Sequence, residues 1–499
     1  MFGRFNIPDE DWQQTPAPVQ QAFSSLYHQF LLLEIRSQAY EQQLAQLRTQ
    51  VAQIDDLKAE LTELRERLGK NSSNSSKPPS SDPPQQRSPA PREATGRKPG
   101  GQTGHPGRGR KLKAVAEVDR VVDLRPISCS HCGGLLLGSD PQPARHQVSD
   151  VPVCRALLTE YRRHTLKCLS CGVANQAAWP ADMPTGSFGP RTKAIVAYLS
   201  GRLHASHRDV VEAMEVLHGL KLSLGSVPAI QQQVSEALAG PVQTAQCYVQ
   251  RQAVNHVDET SWPQQGYLHW LWLLATEKVT VFHLLAGRGA AQAKQVISKA
   301  GKAVVITDRY AAYNWLPRQR RQICWAHLKR DFQAMAERQG ESAEIGQGLL
   351  EQTRALFHLW HRLRDGQLAR PSWQRKINSI QQRVKHLLLA GTNSGHAKTR
   401  HTCANILQVE ACLWTFVRVV GVEPTNNNAE RPLRRAVLWR KKSFGTQSES
   451  GSRFVERILT VVTTLRQQGR EVLGYLAAVC GAQAECLLPE PPDSSIPPT

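Results

Sequence analysis

Glu430 is the one acid in a strongly basic run. From Asn426 to Lys442 the chain reads NNNAERPLRRAVLWRKK, with Arg431, Arg434, Arg435, Arg440, Lys441 and Lys442 around that carboxylate. Cations of this density bind a phosphate backbone, and a carboxylate among them repels phosphate unless a divalent ion stands between the two. A plain ion pair with Arg434, one helical turn on, remains open from this segment alone. A second donor set is Cys129-Ser130-His131-Cys132 and Cys168-Leu169-Ser170-Cys171, each followed by glycine. Two such knuckles can place four thiolates about 2.3 Å from one zinc ion, in a closed and therefore structural site. A third is Cys324 and His327 in CWAH. Two ligands do not make a zinc site, so His401 and Cys403 would have to complete it; otherwise CWAH is an amphipathic helix start with Trp325 and Leu328 turned inward.

The elements that must position these groups are written in the same pattern. VNHVDETSW, YLHWLWLLATE and VTVFHLLAGRG read as three apolar strands, the last two joined by a tight turn near Glu277 and Lys278. A helix, AAQAKQVISKAG, leads to a fourth strand in KAVVITDRYAAY. Asp258 and Asp308 stand where apolar runs end, at a sheet's rim. A meander, a crossover helix and a return beside the first strand would set those two carboxylates next to each other, the order of a ribonuclease H-like sheet. Adjacent carboxylates repel unless a cation separates them, and two divalent ions roughly 3.5 to 4 Å apart are the usual answer. Taken singly, each aspartate also reads as a strand-end cap.

Around this core the chain divides by composition. Residues 1–70 carry Leu44, Leu47, Val51, Ile54, Leu57, Leu61, Leu64 and Leu68 at steps of three and four, the seam of a coiled coil or of a helix packed on its own protein. The step from Ile54 to Leu57 breaks strict heptad order. Residues 71–115 are rich in Ser, Pro, Gly and base, a flexible linker that could follow a phosphate backbone. Residues 116–185 form the expected zinc ribbon, with Val148 to His164 supplying its strands and Cys154 left in its core. Residues 186–245 read as three helices, opened by Pro190, ended at Gly219 and restarted at Ser226 and Pro228. A helix-turn-helix fits them, as would any small bundle. Residues 250–480 hold the α/β core with a helical insertion at about 325–420, and 481–499 form a tail. The fold class is multidomain α+β.

With 499 residues, a formal charge of +20 and a pI near 9.7, the chain calls for a polyanionic partner, nucleic acid first. No apolar run reaches the roughly 20 residues that span a bilayer, and MFGRFNIPDEDWQQTP has no hydrophobic signal core. A soluble cytoplasmic protein is expected. Eleven cysteines are too sparse for a disulfide scaffold.

HVDETSW, TDRYAAYNW, CWAHLKRDF, NNNAERPLRRAVLWRKKSFGTQSESG, GKNSSNSSKPPSSD and KPGGQTGHPG together resemble the transposases of the insertion sequence 66 family, over nearly the whole chain to about residue 480. The resemblance implies a DDE-type enzyme of a bacterial mobile element with a ribonuclease H-like core. By motif, Asp258, Asp308 and Glu430 become the three carboxylates that hold magnesium or manganese, with Glu259 and Glu423 as the obvious misassignments. It further implies metal-activated cleavage at the element's ends and joining of the freed 3′-hydroxyl to target DNA. Arg431, Arg434, Arg435, Arg440, Lys441 and Lys442 are expected on DNA phosphates. Asn426, Asn427 and Asn428 are expected to cap the helix. A homo-oligomer through the amino-terminal helix and small accessory proteins of the same element are the implied partners, with no membrane. The competing readings are another ribonuclease H-like nuclease and a DNA-binding regulator that has lost catalysis.

Overall fold

The structure is a computed structural model that describes residues 8–69, 111–181, 183–184, 186–297, 301–483 and 486–489. It divides into two units, residues 1–90 and 91–499. Among the described residues it is a mixed α+β chain with fifteen α-helices and seven strands.

The first unit is two helices, α1 (Asp9–Gln14) and α2 (Ala17–Gly69, 53 residues). Three acids in the first turn of α1 suit its positive end, and Trp12 packs edge-on against Phe23 of α2 at 5.6 Å. Helix α2 is long because Gln, Leu, Ala, Glu and Arg dominate it and no proline follows Pro18. Leu44, Leu47 and Leu61 are exposed along it. The side chains of Val51, Ile54, Leu57, Leu64 and Leu68 lie outside the described residues, as does the linker from 70 to 110.

In the second unit the two cysteine knuckles come first. Each closes in the same way: the amides of Cys129 and Cys168 donate to Gly134 and Val173, while Gly133 and Gly172 donate back to the cysteine carbonyls. Both glycines take the left-handed conformation, φ 71° and 73°, that this turn demands. Strands β1 (Thr165–Lys167) and β2 (Ala174–Gln176) pair antiparallel around the second knuckle. The strands expected in 148–164 are absent. Val148, Val151, Val153, Leu157 and Leu158 are exposed, so no apolar surface lies against them to hold a ladder. Cys154 is likewise exposed, and its carbonyl and the Ala156 amide are tied to His218.

Helices α3 (Pro190–Arg202), α4 (His207–His218), α5 (Ser226–Ala237) and α6 (Ala239–Arg251) follow. Ser206 and Asp209 form a reciprocal cap on α4, and Gly219 at φ 65° ends it. Helix α6 is one more than the sequence reading had. These helices do not stand apart: their apolar residues join one continuous core with the sheet and the carboxy-terminal helices.

That sheet has five strands: β3 (Val254–Gln264), β4 (Tyr267–Ala275), β5 (Thr280–Leu285), β6 (Val304–Thr307) and β7 (Arg321–Ile323), in the order β5-β4-β3-β6-β7. Helix α7 (Ala290–Val296) carries the chain from β5 back to β6. Strands β3, β4 and β5 are an antiparallel meander, while β6 runs parallel to β3 and β7 parallel to β6. The sequence reading lacked β7, because a three-residue strand reading Arg-Gln-Ile shows neither apolar run nor alternation.

From β7 the chain enters α8 (Trp325–Ala336), α9 (Glu341–Arg364), α10 (Arg370–Thr392), α11 (Ala397–Gln408) and the short α12 (Thr415–Arg418). They enclose a second core with Val304, Ile306 and Ile323, in which Trp373, Trp414 and Phe416 pack ring on ring. The chain then returns as α13 (Asn427–Ser443), α14 (Glu449–Gln467) and α15 (Val472–Cys480). Helix α14 closes the free edge of β5. Glu456, Thr460 and Thr464, one turn apart, accept from the amides of Leu284, Phe282 and Thr280, every second residue of the strand. The two repeats match because four helical residues rise about 6 Å and two strand residues about 6.7 Å.

Candidate metal and nucleic-acid site

The parallel register aligns the first two carboxylates. His256 on β3 stands opposite Ile306 on β6, so Asp258 and Asp308, each two residues further on, leave the pair of strands at the same level. Asp258 takes a hydrogen bond from the amide of Glu259 at 2.9 Å. Its carboxyl is held well above the usual range, first by loss of hydration, then by the charges of Glu259, Asp308 and Glu430. Asp308 sits in a built turn. Its Oδ1 accepts from the Tyr310 amide at 2.9 Å, and the buried Arg321 of β7 donates to the carbonyls of Asp308 and Tyr310 and to Thr307 Oγ1. Arg309 is drawn aside to Asp331 at 2.7 Å.

Glu259 is separate from this pair. It points to the other face of the sheet, where its side chain is 1% exposed and is held by Arg288 at 2.8 Å and by the Tyr313 hydroxyl. Glu423 faces Arg431 and Glu277.

Glu430 arrives from far along the chain because α13 is fastened to β3 along its whole length. Asn426 donates to the Val257 carbonyl at 2.8 Å, and its Oδ1 meets His256 Nδ1 at 3.1 Å; Asn428 reaches His256 Nε2 at 3.3 Å. Burial lowers the His256 pKa to about 4, so the ring is neutral: Nδ1–H donates to Asn426 and Nε2 accepts from Asn428. Further along, Trp439 meets Trp262 edge-on and Arg440 donates to Thr260 and Ser261. Beyond the helix, Thr446 bonds to Pro263 and Gln265. There Gly445, at φ 102°, passes so close to the Pro263 carbonyl that a Cβ would sit 2.1 Å from it. Two expectations change here. Asn426 makes no side-chain cap to α13, since its amide is committed to the strand. Arg440 is spent on β3, which removes it from the set that faces solvent.

The third carboxylate is oriented by the CWAH segment. Cys324 is the N-cap residue of α8; its amide bonds to Thr307, next to Asp308, and its sulfur accepts from the Asn426 amide at 3.2 Å. Glu430 Oε1 lies 3.6 Å from Cys324 Sγ and 3.5 Å from His327 Nδ1. Burial, then Glu430, pushes the Cys324 thiol up to about 12, and burial with Arg330 lowers the His327 pKa. Among the described residues, these three are the group of potential ligands that meets within 4.8 Å. Asp258 feels the charges of Asp308 and Glu430, but the three do not close to that distance. His401 and Cys403 do not join Cys324: Cys403 is buried beside Met335 and Gly391. The knuckle cysteines meet in two pairs, Cys129 with Cys132 and Cys168 with Cys171, and not as one group of four.

Cations gather beside α13. His204, at the end of α3, stacks on Trp439 with centroids 4.9 Å apart and planes 7° from parallel. Arg435 and Lys442 flank that tryptophan on the same helical face, and with Arg202 they hold the His204 pKa down, after burial, at about 4. Burial, then Arg435 and Arg466, lowers the Arg202 pKa, and burial, then Arg466, lowers that of Arg435. Arg431 and Arg434 are exposed.

A model of the transposase IS66 family matches residues 185–453, from just before α3 into α14. The chain belongs to that family. The matched stretch holds Asp258, Asp308, Glu430 and the CWAH segment. A family of unknown function (DUF6444) matches residues 32–111, which include most of α2. A protein of Sinorhizobium fredii described as uncharacterized protein y4qI is 23% identical over 411 residues, covering 73% of this chain and 72% of that one. Transposase membership makes DNA the substrate. Among the described residues no helix is long and apolar enough to cross a membrane.

Sequence reasoning passed over His256, Arg321 and the docking role of the asparagines. The triple asparagine was a usable signal, since amides that can both donate and accept suit a junction between strand and helix as well as a cap.

Proposed function

We propose that this transposase is of the DDE type, with a ribonuclease H-like sheet and Asp258, Asp308 and Glu430 as its carboxylates. The observation that carries the reading is the parallel register of β3 and β6, which brings Asp258, inside β3 just past the stretch paired with β6, level with Asp308, just past the end of β6, with α13 fastened alongside. The donor set fits hard divalent cations: oxygen ligands, partly withdrawn from water, with an Asp258 carboxyl raised first by burial and then by neighbouring negative charge. Magnesium or manganese held there would activate the attacking group and stabilise charge on the phosphate in flight.

The chain's own residues then have distinct tasks. Arg321 and the Tyr310 amide fix the Asp308 turn, while Asn426 and Asn428 fix the start of α13. Arg431, Arg434, Arg435, Lys441 and Lys442 bear on DNA phosphates. The reaction exchanges one phosphodiester for another. Water cuts the strand at the element's end and leaves a 3′-hydroxyl, which attacks a target phosphorus and expels the target's own 3′ oxygen, with no covalent protein intermediate. Cys129 with Cys132 and Cys168 with Cys171 each offer two thiolates, and one structural zinc requires the two pairs to close on each other; α2 suits self-association, with small proteins of the same element as further partners.

The test is strand joining. With magnesium, the protein joins a pre-cut element end to plasmid DNA, whereas Asp258→Asn binds the same DNA and joins none above background. Equal joining by both proteins would refute the assignment.

A further inference from the structure

We infer that Cys324, His327 and Glu430 form a binding site for a borderline-soft divalent cation, zinc being the fitting one, which shares Glu430 with the proposed catalytic carboxylates and so rests on that reading. Ligands about 2.0 to 2.3 Å from a tetrahedral zinc stand roughly 3.3 to 3.8 Å from one another. The separations from Glu430 Oε1, 3.6 Å to Cys324 Sγ and 3.5 Å to His327 Nδ1, fall on those edges. His327 Nδ1 is buried and has no hydrogen-bond partner, a costly arrangement that a metal at the centre of the group removes. The sulfur is already oriented, since the Asn426 amide donates to it; such outer hydrogen bonds are what hold a metal ligand in place. One sulfur, one nitrogen and one oxygen leave a fourth position open, and the mixed set favours zinc over magnesium, which prefers oxygen alone.

Binding exchanges the thiol proton for the metal. Cys324 gives its proton to solvent, and the thiolate, the neutral imidazole and the Glu430 carboxylate each donate a lone pair. A cation there fixes Glu430 Oε1 on the CWAH side and neutralises its charge. Zinc at this site therefore weakens magnesium at the aspartates.

Full-length protein freed of metal and titrated with Co2+ reports this directly, because cobalt takes the same donors and a thiolate ligand adds a near-ultraviolet charge-transfer band. Wild type takes up one more equivalent than Cys324→Ser or His327→Ala, the knuckle cysteines being present in all three. Circular dichroism checks that each is folded. Zinc affinity at this equivalent falls by at least about 10- to 100-fold in either variant, since removing even a group that merely supports a ligand costs that much. Asp258→Asn keeps the additional thiolate charge-transfer band that Cys324→Ser loses, whatever becomes of cobalt at the aspartates, so the result stands apart from the fate of the catalytic assignment. Equal cobalt uptake by the folded wild type and both variants overturns the site and leaves Cys324 and His327 as supports of Glu430. At fixed magnesium, zinc slows wild-type joining by about tenfold or more and Cys324→Ser, against its own zinc-free rate, by less than about twofold. Equal inhibition of the two overturns the coupling.

Discussion

Asp258 sits where its charge is least welcome. Its raised pKa means that the folded chain keeps the Asp258 proton at pH values where the unfolded chain, with an ordinary value of 3.8, has lost it. Stability in the absence of metal therefore falls as pH climbs above about 4 and through the folded pKa. A divalent cation reverses that loss. At pH 8 without metal, Asp258→Asn should melt about 1 °C above wild type for each ~1 kcal/mol of relieved repulsion, given the unfolding entropy of a 499-residue chain. Magnesium should raise the wild-type Tm and leave that of the variant almost unchanged. A variant that melts below wild type in metal-free buffer would show that Asp258 stabilises the fold instead. The aspartates were legible because each follows an apolar run; Asp308 does stand just past the end of β6, whereas Asp258 lies inside β3, which runs on to Gln264. Their companion His256 was not, since a lone histidine inside a strand looks the same whether it braces an asparagine or fills a core.

Helix α14 substitutes for a missing strand. Its Glu456, Thr460 and Thr464 satisfy the amides of an edge that would otherwise be free to pair with another chain. Thr460→Val keeps the shape and removes the acceptor for the buried Phe282 amide. It should cost about 1 to 3 kcal/mol, read as a lower urea midpoint with an unchanged slope; an unchanged midpoint would deny the ladder its role. Pro190, Gly219 and Ser226 announced helix ends in the sequence and stand at helix ends in the structure. The threonine ladder could not be seen that way. Its partners are backbone groups on the other side of the insertion, and the spacing of four reads as an ordinary amphipathic helix. Strand β7 escaped for a related reason: Arg321 and Gln322 are buried by hydrogen bonds rather than by apolarity.

At the scale of the whole molecule, charge sets the terms of DNA binding. Arg434 is exposed four residues beyond Glu430, and Lys442 borders the cluster around Trp439. Every cation removed from a phosphate lowers the slope of log affinity against log salt by about 0.9 on duplex DNA. Arg434→Ala with Lys442→Ala should flatten that slope by roughly 1.8 without altering sequence preference; an unchanged slope would place both side chains off the backbone. The sequence could assign these cations to phosphate by number and sign, yet could not tell that Arg440 is consumed by β3, because pairing with a strand leaves no mark on local composition. The fastening of α13 to β3 also has a meaning in time. Both aspartates leave the ribosome well before Glu430, and the helix that carries it must travel back across the finished insertion to its strand. A nascent or prematurely ended chain thus owns two carboxylates and no third. On the proposed assignment of Glu430, this order of synthesis withholds the capacity to cut DNA until α13 has been made and docked.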